Sequence, residues 1–272
     1  MRRAFPAILL TLGAALVTSA ASAHRSFPFT EQSQSLEPGT SELEPWTTFR
    51  AGRERYYSAV DGELSFEHGL APRLQLGLSW LFMSETRDEV VDPLTGELAR
   101  VTESDPLGAA LDLHYQLSDA EADLLGSALE LEVELGPSAS ALGLGLIFDR
   151  NVDRWKLAGN LSFEAVLTSV RGEDGSQLDT ALSLEPTLAA AFEVAHGFGL
   201  GLELRAPIGL RGEGKSSTLF GGPVVNYDGS RFWATLGVQP QLVTFSGESP
   251  GRRLDLHDNE HLQVRLRAGF AL

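Results

Sequence analysis

The last residues of the chain, Asn259 to Leu272, read Asn-Glu-His-Leu-Gln-Val-Arg-Leu-Arg-Ala-Gly-Phe-Ala-Leu. Successive side chains of a β-strand point to opposite faces. One face of this stretch is therefore apolar throughout: Leu262, Val264, Leu266, Ala268, Phe270 and Leu272. The other face carries Gln263, Arg265, Arg267, Gly269 and Ala271. A strand of a membrane barrel has this character, because one face meets lipid and the other meets water or packed polar groups.

Eleven further segments alternate in the same way. With the terminal stretch, the predicted strands are Glu42–Arg53, Tyr56–His68, Arg73–Thr86, Pro106–Leu117, Ser127–Leu135, Ala141–Asp149, Trp155–Val170, Leu178–Ala195, Phe198–Leu210, Thr218–Tyr227, Arg231–Phe245 and Asn259–Leu272. Bacterial membrane barrels require an even number of strands. The sequence therefore predicts an all-β fold, a transmembrane antiparallel β-barrel of about 12 strands over residues 42–272.

The connections between the predicted strands differ in length. Gly69–Pro72, His196-Gly197 and Asp228–Ser230 are short, whereas Arg87–Asp105 and Ser246–Asp258 are long and polar. In membrane barrels the short turns face the periplasm and the longer loops face outward. We therefore expect the two long segments to be external loops.

A soluble β-sandwich or lipocalin-like barrel is the alternative fold. Its strands also alternate, but their apolar faces point inward. The outward faces of a soluble protein of this size would need to be richer in lysine. Nearly every strand here sets a leucine-rich face against inner charges, which favours the membrane barrel.

The first residues indicate export. Arg2 and Arg3 form a positive region, Ala4–Val17 is apolar, and Ala21-Ser22-Ala23 is a small-residue cleavage site. This pattern predicts a signal peptide over residues 1–23, because the apolar run is shorter than the ~20 residues of a spanning helix. Residues 24–41 are polar with scattered phenylalanines and are interpreted as a periplasmic N-terminal arm. Since no later stretch could span as a helix, we expect transport across the inner membrane and insertion into the outer membrane as a barrel.

Composition excludes several classes of function. The formal net charge is −16, which argues against nucleic acid as a partner, since binding to phosphates needs a basic face. The chain has no cysteine, so disulfides, thiolate catalysis and cysteine-bound metals are excluded. We predict no cofactor and no metal site. The expected partners are outer-membrane lipid and small permeating solutes.

The strand pattern, the signal peptide and the ending Phe270-Ala271-Leu272 resemble bacterial outer-membrane β-barrels. That family usually ends in an aromatic residue, which here stands two positions earlier. The resemblance implies recognition of the C-terminal strand by the outer-membrane insertion machinery. The run Phe29-Thr30-Glu31, with Leu43-Glu44-Pro45 before a strand, also resembles uncharacterised outer-membrane channels associated with the MetA pathway of phenol degradation.

The inward face of the predicted barrel collects charged side chains. The candidate selectivity residues are Asp112, His114, Glu130, Glu132, Glu134, Glu164, Glu185, Glu203, Arg205, Arg265 and Arg267. Charged rings in a narrow lumen could set selectivity for a permeant, or the same charges could pair across the lumen and close it. Acids outnumber bases, and Glu130, Glu132 and Glu134 repel one another unless cations lie opposite. The prediction is a passive, porin-like channel for small solutes that prefers cations, and not an enzyme.

Two alternatives belong to other classes of function. Asp112 and His114 share one face of a strand, and an aspartate can orient a histidine as a general base. An outer-membrane enzyme would also need a nucleophile, and no catalytic motif accompanies the pair. The other alternative is a closed structural or binding barrel whose loops contact a partner.

Overall fold

The computed structural model describes residues 25–272 except 93, 138, 173–174, 212–215 and 247–252. The predicted signal peptide therefore lies outside the described residues. Thirteen strand segments follow one another: β1 (Ser41–Ala51), β2 (Tyr57–Ala71), β3 (Leu74–Asp92), β4 (Glu97–Ser118), β5 (Gly126–Leu135), β6 (Ala139–Val152), β7 (Trp155–Gly172), β8 (Gly175–Ala195), β9 (Phe198–Arg205), β10 (Ile208–Arg211), β11 (Ser217–Asp228), β12 (Phe232–Ser246) and β13 (Leu262–Ala271). The described part of the chain contains no helix long and apolar enough to span a membrane.

The terminal strand closes the sheet into a barrel. β13 pairs with β12 on one side and with β1 on the other, and every pairing around the barrel is antiparallel. β9 and β10 are two parts of one barrel strand, since both pair with β8 and with β11. The break falls at Ala206-Pro207, where proline has no N–H to donate to a ladder. The prediction of a twelve-stranded antiparallel barrel is thus confirmed.

The apolar side chains lie on the outside of this barrel. Trp80 is 62% exposed and Leu266 is 52% exposed, whereas Glu42, Gln75 and Glu203 are completely buried. A soluble protein buries apolar groups and exposes charged ones, because an unpaired buried charge is costly. The opposite distribution here rules out the soluble β-sandwich and matches a barrel surrounded by lipid.

A chain of aromatic rings follows one rim of the barrel. The ring centroids are 5.0 Å apart for Phe198 and Tyr227, 6.2 Å for Tyr227 and Phe232, and 5.0 Å for Phe232 and Phe270. Phe270 thus takes part in the aromatic girdle that membrane barrels place at the lipid–water interface. We call this the short-turn end of the barrel, because the connections 72–73, 153–154 and 196–197 lie here.

The prediction that Arg87–Asp105 is a loop without strands is wrong. β3 and β4 instead continue as a hairpin to Asp92 and Glu97. Cross-strand polar pairs hold the extension: the Ser84 and Ser104 hydroxyls are 2.8 Å apart, the Thr86 and Thr102 hydroxyls 3.0 Å, and Arg100 Nε is 3.1 Å from Asp88 Oδ1. From Ser84 to Glu89 both faces of β3 are polar, so the apolar–polar alternation that marks a membrane strand is absent although the strand continues.

The segment Arg25–Thr40, here called the arm, lies inside the barrel near the short-turn end. Phe27 is 0% exposed and Leu36 is 2% exposed. The Gly39 N–H donates to the carbonyl oxygen of Gly69 at 2.8 Å, where the arm meets the rim of β2. The contacts of the arm with the inner wall extend from Gln75 of β3 to Asn226 of β11 and Thr235 of β12. No periodicity in its sequence indicates this position.

Candidate functional site

An apolar socket on the inner wall holds the start of the arm. Phe27 packs in one buried cluster with Ala158 of β7, Ala189 and Ala191 of β8, and Val224 of β11. These inward positions carry small side chains in an otherwise polar lumen, which leaves room for the phenyl ring. Full burial of a phenylalanine side chain contributes roughly 1.5–3 kcal/mol. The socket therefore anchors the arm to the wall opposite β2 and β3.

Polar side chains from several strands bind the backbone of the arm. Asn160 Oδ1 accepts from the Glu31 N–H at 2.6 Å, and Glu203 Oε1 accepts from the Phe29 N–H at 3.1 Å. The recorded contacts with arm backbone atoms also include Gln75, His114, Gln116 and Asn226. A chain segment without secondary structure must satisfy its buried peptide groups with side chains. The inner wall does this, so the arm belongs to the folded structure.

Arg267 joins the arm to the barrel wall. Its guanidinium donates to the carboxylates of Glu31 in the arm and Glu44 in β1, and Arg25 Nη1 lies 3.3 Å from Glu31 Oε2. Burial opposes ionisation of Glu31, but the positive charges of Arg267 and Arg25 outweigh burial and lower the pKa of Glu31 to about 2. The ion-paired form is therefore the form present at neutral pH.

Three glutamates of β5 form an acidic wall beside the arm. Glu130, Glu132 and Glu134 alternate with outward Leu129, Leu131 and Val133, and no described residue forms a hydrogen bond or ion pair with the three carboxylates. Gly145 pairs with Glu130, and Gly143 pairs with Glu132. A Cβ at Gly145 would lie 3.1 Å from the Glu130 Cβ, and one at Gly143 would lie 3.3 Å from the Glu132 Cβ. The two glycines thus give the glutamate side chains space in the lumen.

Two adjoining cavities border the acidic wall. One, of about 360 Å³, extends from the three glutamates to Asp112, His114, Trp46 and the arm. The other, also about 360 Å³, extends from the same glutamates to Glu164 of β7 and Glu185 of β8. Both cavities share Glu130, Glu132, Glu134, Ser162 and Arg265 as lining residues. The lumen therefore retains polar space beside the arm.

Arg265 of β13 lines both cavities from the basic side. Its guanidinium carbon lies 4.0 Å from the ring centroid of Phe29 and 4.2 Å from that of Trp46, so two aromatic rings contact it. Arg265 Nε donates to Thr48 Oγ1 at 2.7 Å. By contrast, Arg205 Nη1 lies 2.9 Å from Glu185 Oε2. No described carboxylate lies within 4.0 Å of the Arg265 guanidinium, which distinguishes it from Arg205 and Arg267.

All eleven candidate selectivity residues lie in the lumen, and they divide into two groups. Those that contact the arm are His114, Glu203, Arg205, Arg265 and Arg267. Those that border the cavities without such a contact are Asp112, Glu130, Glu132, Glu134, Glu164 and Glu185. Their role in selectivity stays a prediction.

The surroundings of His114 bear on the enzyme alternative. His114 Nε2 lies 3.0 Å from the carbonyl oxygen of Ser33, and within the described structure no hydrogen bond links His114 to Asp112. The described residues also contain no group of three His, Asp or Glu side chains placed to hold a metal. The arrangement of His114 is that of a side chain that positions the arm.

Several residues that hold the arm or line its cavity were not among the predicted site residues. Trp46, Gln75, Asn160 and Asn226 contact the arm or line the cavity that it borders. A usable signal was present, because amides and small alanines stand at inward positions where charged residues are otherwise frequent. The partner segment could not be identified from that signal.

Comparison with known proteins gives a partial sequence match and a clear structural one. Residues 154–272, fewer than half of the chain, match a family of unknown function, DUF6662. No curated protein matches the chain. The structure is similar to an outer membrane channel from Pseudomonas putida F1, with 15% sequence identity, a TM-score of 0.59, and coverage of 88% of this chain and 98% of that one.

Two other solved structures share the barrel. The NanC porin has 10% identity and a TM-score of 0.50, and the match covers 85% of this chain and 100% of the porin. The translocator domain of the autotransporter NalP from Neisseria meningitidis has 10% identity and a TM-score of 0.52, with coverage of 85% and 87%. At such identities the likeness establishes the fold, which is that of outer-membrane β-barrels, and the resemblance predicted from the strands is confirmed.

Proposed function

We propose that this chain is an outer-membrane barrel that acts as a passive channel for small solutes, with the arm as its constriction. The observation that carries the proposal is the pair of adjoining polar cavities along the acidic wall, inside a closed barrel whose outer surface is apolar. Solutes would pass by diffusion, without a cofactor. The similarity to an outer membrane channel supports the fold that this function needs.

The proposed orientation follows from the connections. The short-turn end faces the periplasm, as is usual for membrane barrels, and the β3–β4 hairpin projects outward. The arm then enters the lumen from the periplasmic side, since β1 begins beside the end of β13. A signal peptide over residues 1–23 would deliver the chain to that compartment. The insertion machinery would act on the C-terminal strand.

The preference for cations rests on unequal pairing of lumen charges. Arg25, Arg205 and Arg267 each lie within 4.0 Å of a carboxylate, whereas Glu130, Glu132 and Glu134 have no such described partner. Unpaired carboxylates give a narrow aqueous space a negative potential, which raises the local concentration of cations. We therefore assign the selectivity of the channel to the acidic wall.

Conductance in planar bilayers tests this function. The refolded mature chain should give small, steady current steps, and a salt gradient should give a reversal potential of cation-selective sign. The triple variant Glu130→Gln, Glu132→Gln, Glu134→Gln should lose most of this selectivity, because three unpaired charges are removed while the side-chain size is kept.

A matched control keeps the change in net charge and moves it out of the lumen. Glu89→Gln, Glu97→Gln and Glu103→Gln remove three carboxylates from the exposed β3–β4 hairpin. This control should keep the selectivity of the unmodified chain. Equal selectivity of the two triple variants would refute the role of the acidic wall, whichever ion the channel prefers.

A closed barrel is the second candidate, because the arm occupies part of the lumen and is bound there by many contacts. In that case the folded protein would insert into the bilayer and pass no current. Heat-modifiable migration on gels separates a folded, closed barrel from a protein that failed to insert.

A further inference from the structure

We infer that the lumen contains a binding site for small zwitterions, with Arg265 as the carboxylate-binding group and the acidic wall of Glu130, Glu132 and Glu134 as the ammonium-binding group. The inference deepens the proposed channel function by naming the class of solute. It follows from two separate observations that concern the same cavities. Among the described residues, Arg265 has no carboxylate partner and the three glutamates have no cationic partner.

Arg265 is preorganised for an anionic ligand. The rings of Phe29 and Trp46 contact its guanidinium, and Nε donates to Thr48 Oγ1 at 2.7 Å. Nη1 lies 3.4 Å from the carbonyl oxygen of Pro28, a weak contact. Cation–π contacts fix the guanidinium and leave its charge unneutralised. A guanidinium fixed in this way binds a carboxylate with little further loss of side-chain entropy.

The guanidinium groups of the neighbouring arginines already have carboxylate partners. Arg267 is occupied by Glu31 and Glu44, and Arg205 lies 2.9 Å from Glu185. The lumen therefore offers an arginine that is held in place and that has no carboxylate partner in the described part of the chain. Arg265 of β13 and the glutamates of β5 line the same two cavities, so groups of opposite charge border one polar space.

The acidic wall supplies the complementary half. Glu132 of β5 lies directly opposite Asp112 of β4 in the sheet. Gly143 and Gly145 of β6 have no side chains, so the space beside Glu132 stays open. The cavities are of about 360 Å³ each, within the range of roughly 300–1,000 Å³ that small-molecule sites occupy. A ligand with one positive and one negative group can neutralise both walls at once. An ion of a single sign leaves one wall without a counter-charge.

Binding in detergent micelles tests this site without requiring conduction. The refolded mature chain is titrated with glycine, γ-aminobutyrate and ε-aminocaproate, which separate the two charges by increasing lengths. Butylammonium and butyrate represent the two halves of the ligand. Calorimetry gives the affinity, and tryptophan fluorescence gives a second readout because Trp46 contacts Arg265. At least one zwitterion should bind about tenfold more tightly than either half, as expected for an added charge-assisted contact.

Two variants should separate the halves of the site. Arg265→Gln should abolish the advantage of the zwitterion and weaken butyrate while leaving butylammonium unchanged. The triple glutamine variant of the acidic wall should also abolish the advantage of the zwitterion. It should weaken the binding of butylammonium and leave that of butyrate unchanged. Arg100→Gln removes the same charge from the exposed hairpin and should change none of these affinities. A purely structural role of Arg265 would weaken all ligands alike.

The outcome for the unmodified protein decides the question even if Arg265→Gln fails to fold. If no zwitterion binds more tightly than butylammonium and butyrate, the site does not exist. A protein that conducts ions but shows no such preference would overturn this inference and keep the channel. A protein that binds zwitterions and passes no current would keep the site and overturn the channel.

Discussion

Removal of residues 24–38 from a refolded protein of residues 24–272 should raise the single-channel conductance several-fold. The arm occupies the short-turn half of the lumen, where Phe27 is buried in its socket and Ser33 contacts His114. Without the arm, water can replace it and solvate the polar side chains of the inner wall. The barrel ladders do not involve these residues, so the truncated chain should still fold and migrate as a heat-modifiable band.

A point variant refines the same test. Phe27→Ala removes the apolar anchor and should give a channel that fluctuates between the conductance of the full-length chain and that of the truncated chain. The matched control is Phe245→Ala, which removes the same ring from an exposed position. An unchanged conductance after truncation would mean that the arm does not constrict the pathway. Zero conductance in the full-length protein together with conductance in the truncated protein would support a barrel that the arm closes.

Most of the fold could be predicted from the sequence because membrane strands obey a strict physical rule. Each strand must present an apolar face to lipid and may place polar groups inside, so a period of two residues recurs along the chain. All twelve predicted strands correspond to barrel strands, including Thr218–Tyr227, whose Gly221, Gly222 and Pro223 weaken the pattern. In the structure this strand pairs on both sides, with β9 and β12.

The position of the arm could not be predicted because its contacts are distant in sequence. Glu31 and Arg267 are separated by 236 positions, and Ser33 and His114 by 81. No local pattern records such a pairing, and the arm has no strand or helix of its own to impose one. The same applies to Arg265, whose charge could be read from the sequence while its contacts with Phe29 and Trp46 could not.

Replacement of Arg267 by glutamine should destabilise the protein far more than replacement of an exposed arginine. Arg267 is 7% exposed and Glu44 is 2% exposed, so the change leaves a buried carboxylate without its counter-charge. Loss of one partner of a buried ion pair costs about 3–5 kcal/mol. Arg100→Gln, which breaks an exposed pair with Asp88, should cost less than about 1 kcal/mol. Denaturant midpoints of the refolded proteins in micelles measure both.

A second substitution separates two causes of the lost stability, the unpaired carboxylate and the lost packing of the arginine side chain. If unpaired carboxylates cause the effect, Arg267→Gln combined with Glu44→Gln should recover part of the stability, whereas Glu44→Gln alone should be destabilising. Additive losses in the double variant would show instead that the shape of the arginine side chain matters. Equal midpoints for Arg267→Gln and Arg100→Gln would contradict the role of Arg267 altogether.

Acid should diminish the difference in denaturant midpoint between the Arg267→Gln variant and the unmodified chain. Burial raises the pKa of Glu31, yet Arg267 and Arg25 outweigh it and lower that pKa from 4.5 to about 2. A lowered carboxylate pKa contributes stability that is complete above the ordinary value of 4.5 and is lost as the pH falls to about 2. The midpoints should therefore converge over this interval as the Glu31 contribution disappears. A difference in midpoint that stays constant down to about pH 2 would show that the effect of Arg267 does not depend on its ion pair with the arm.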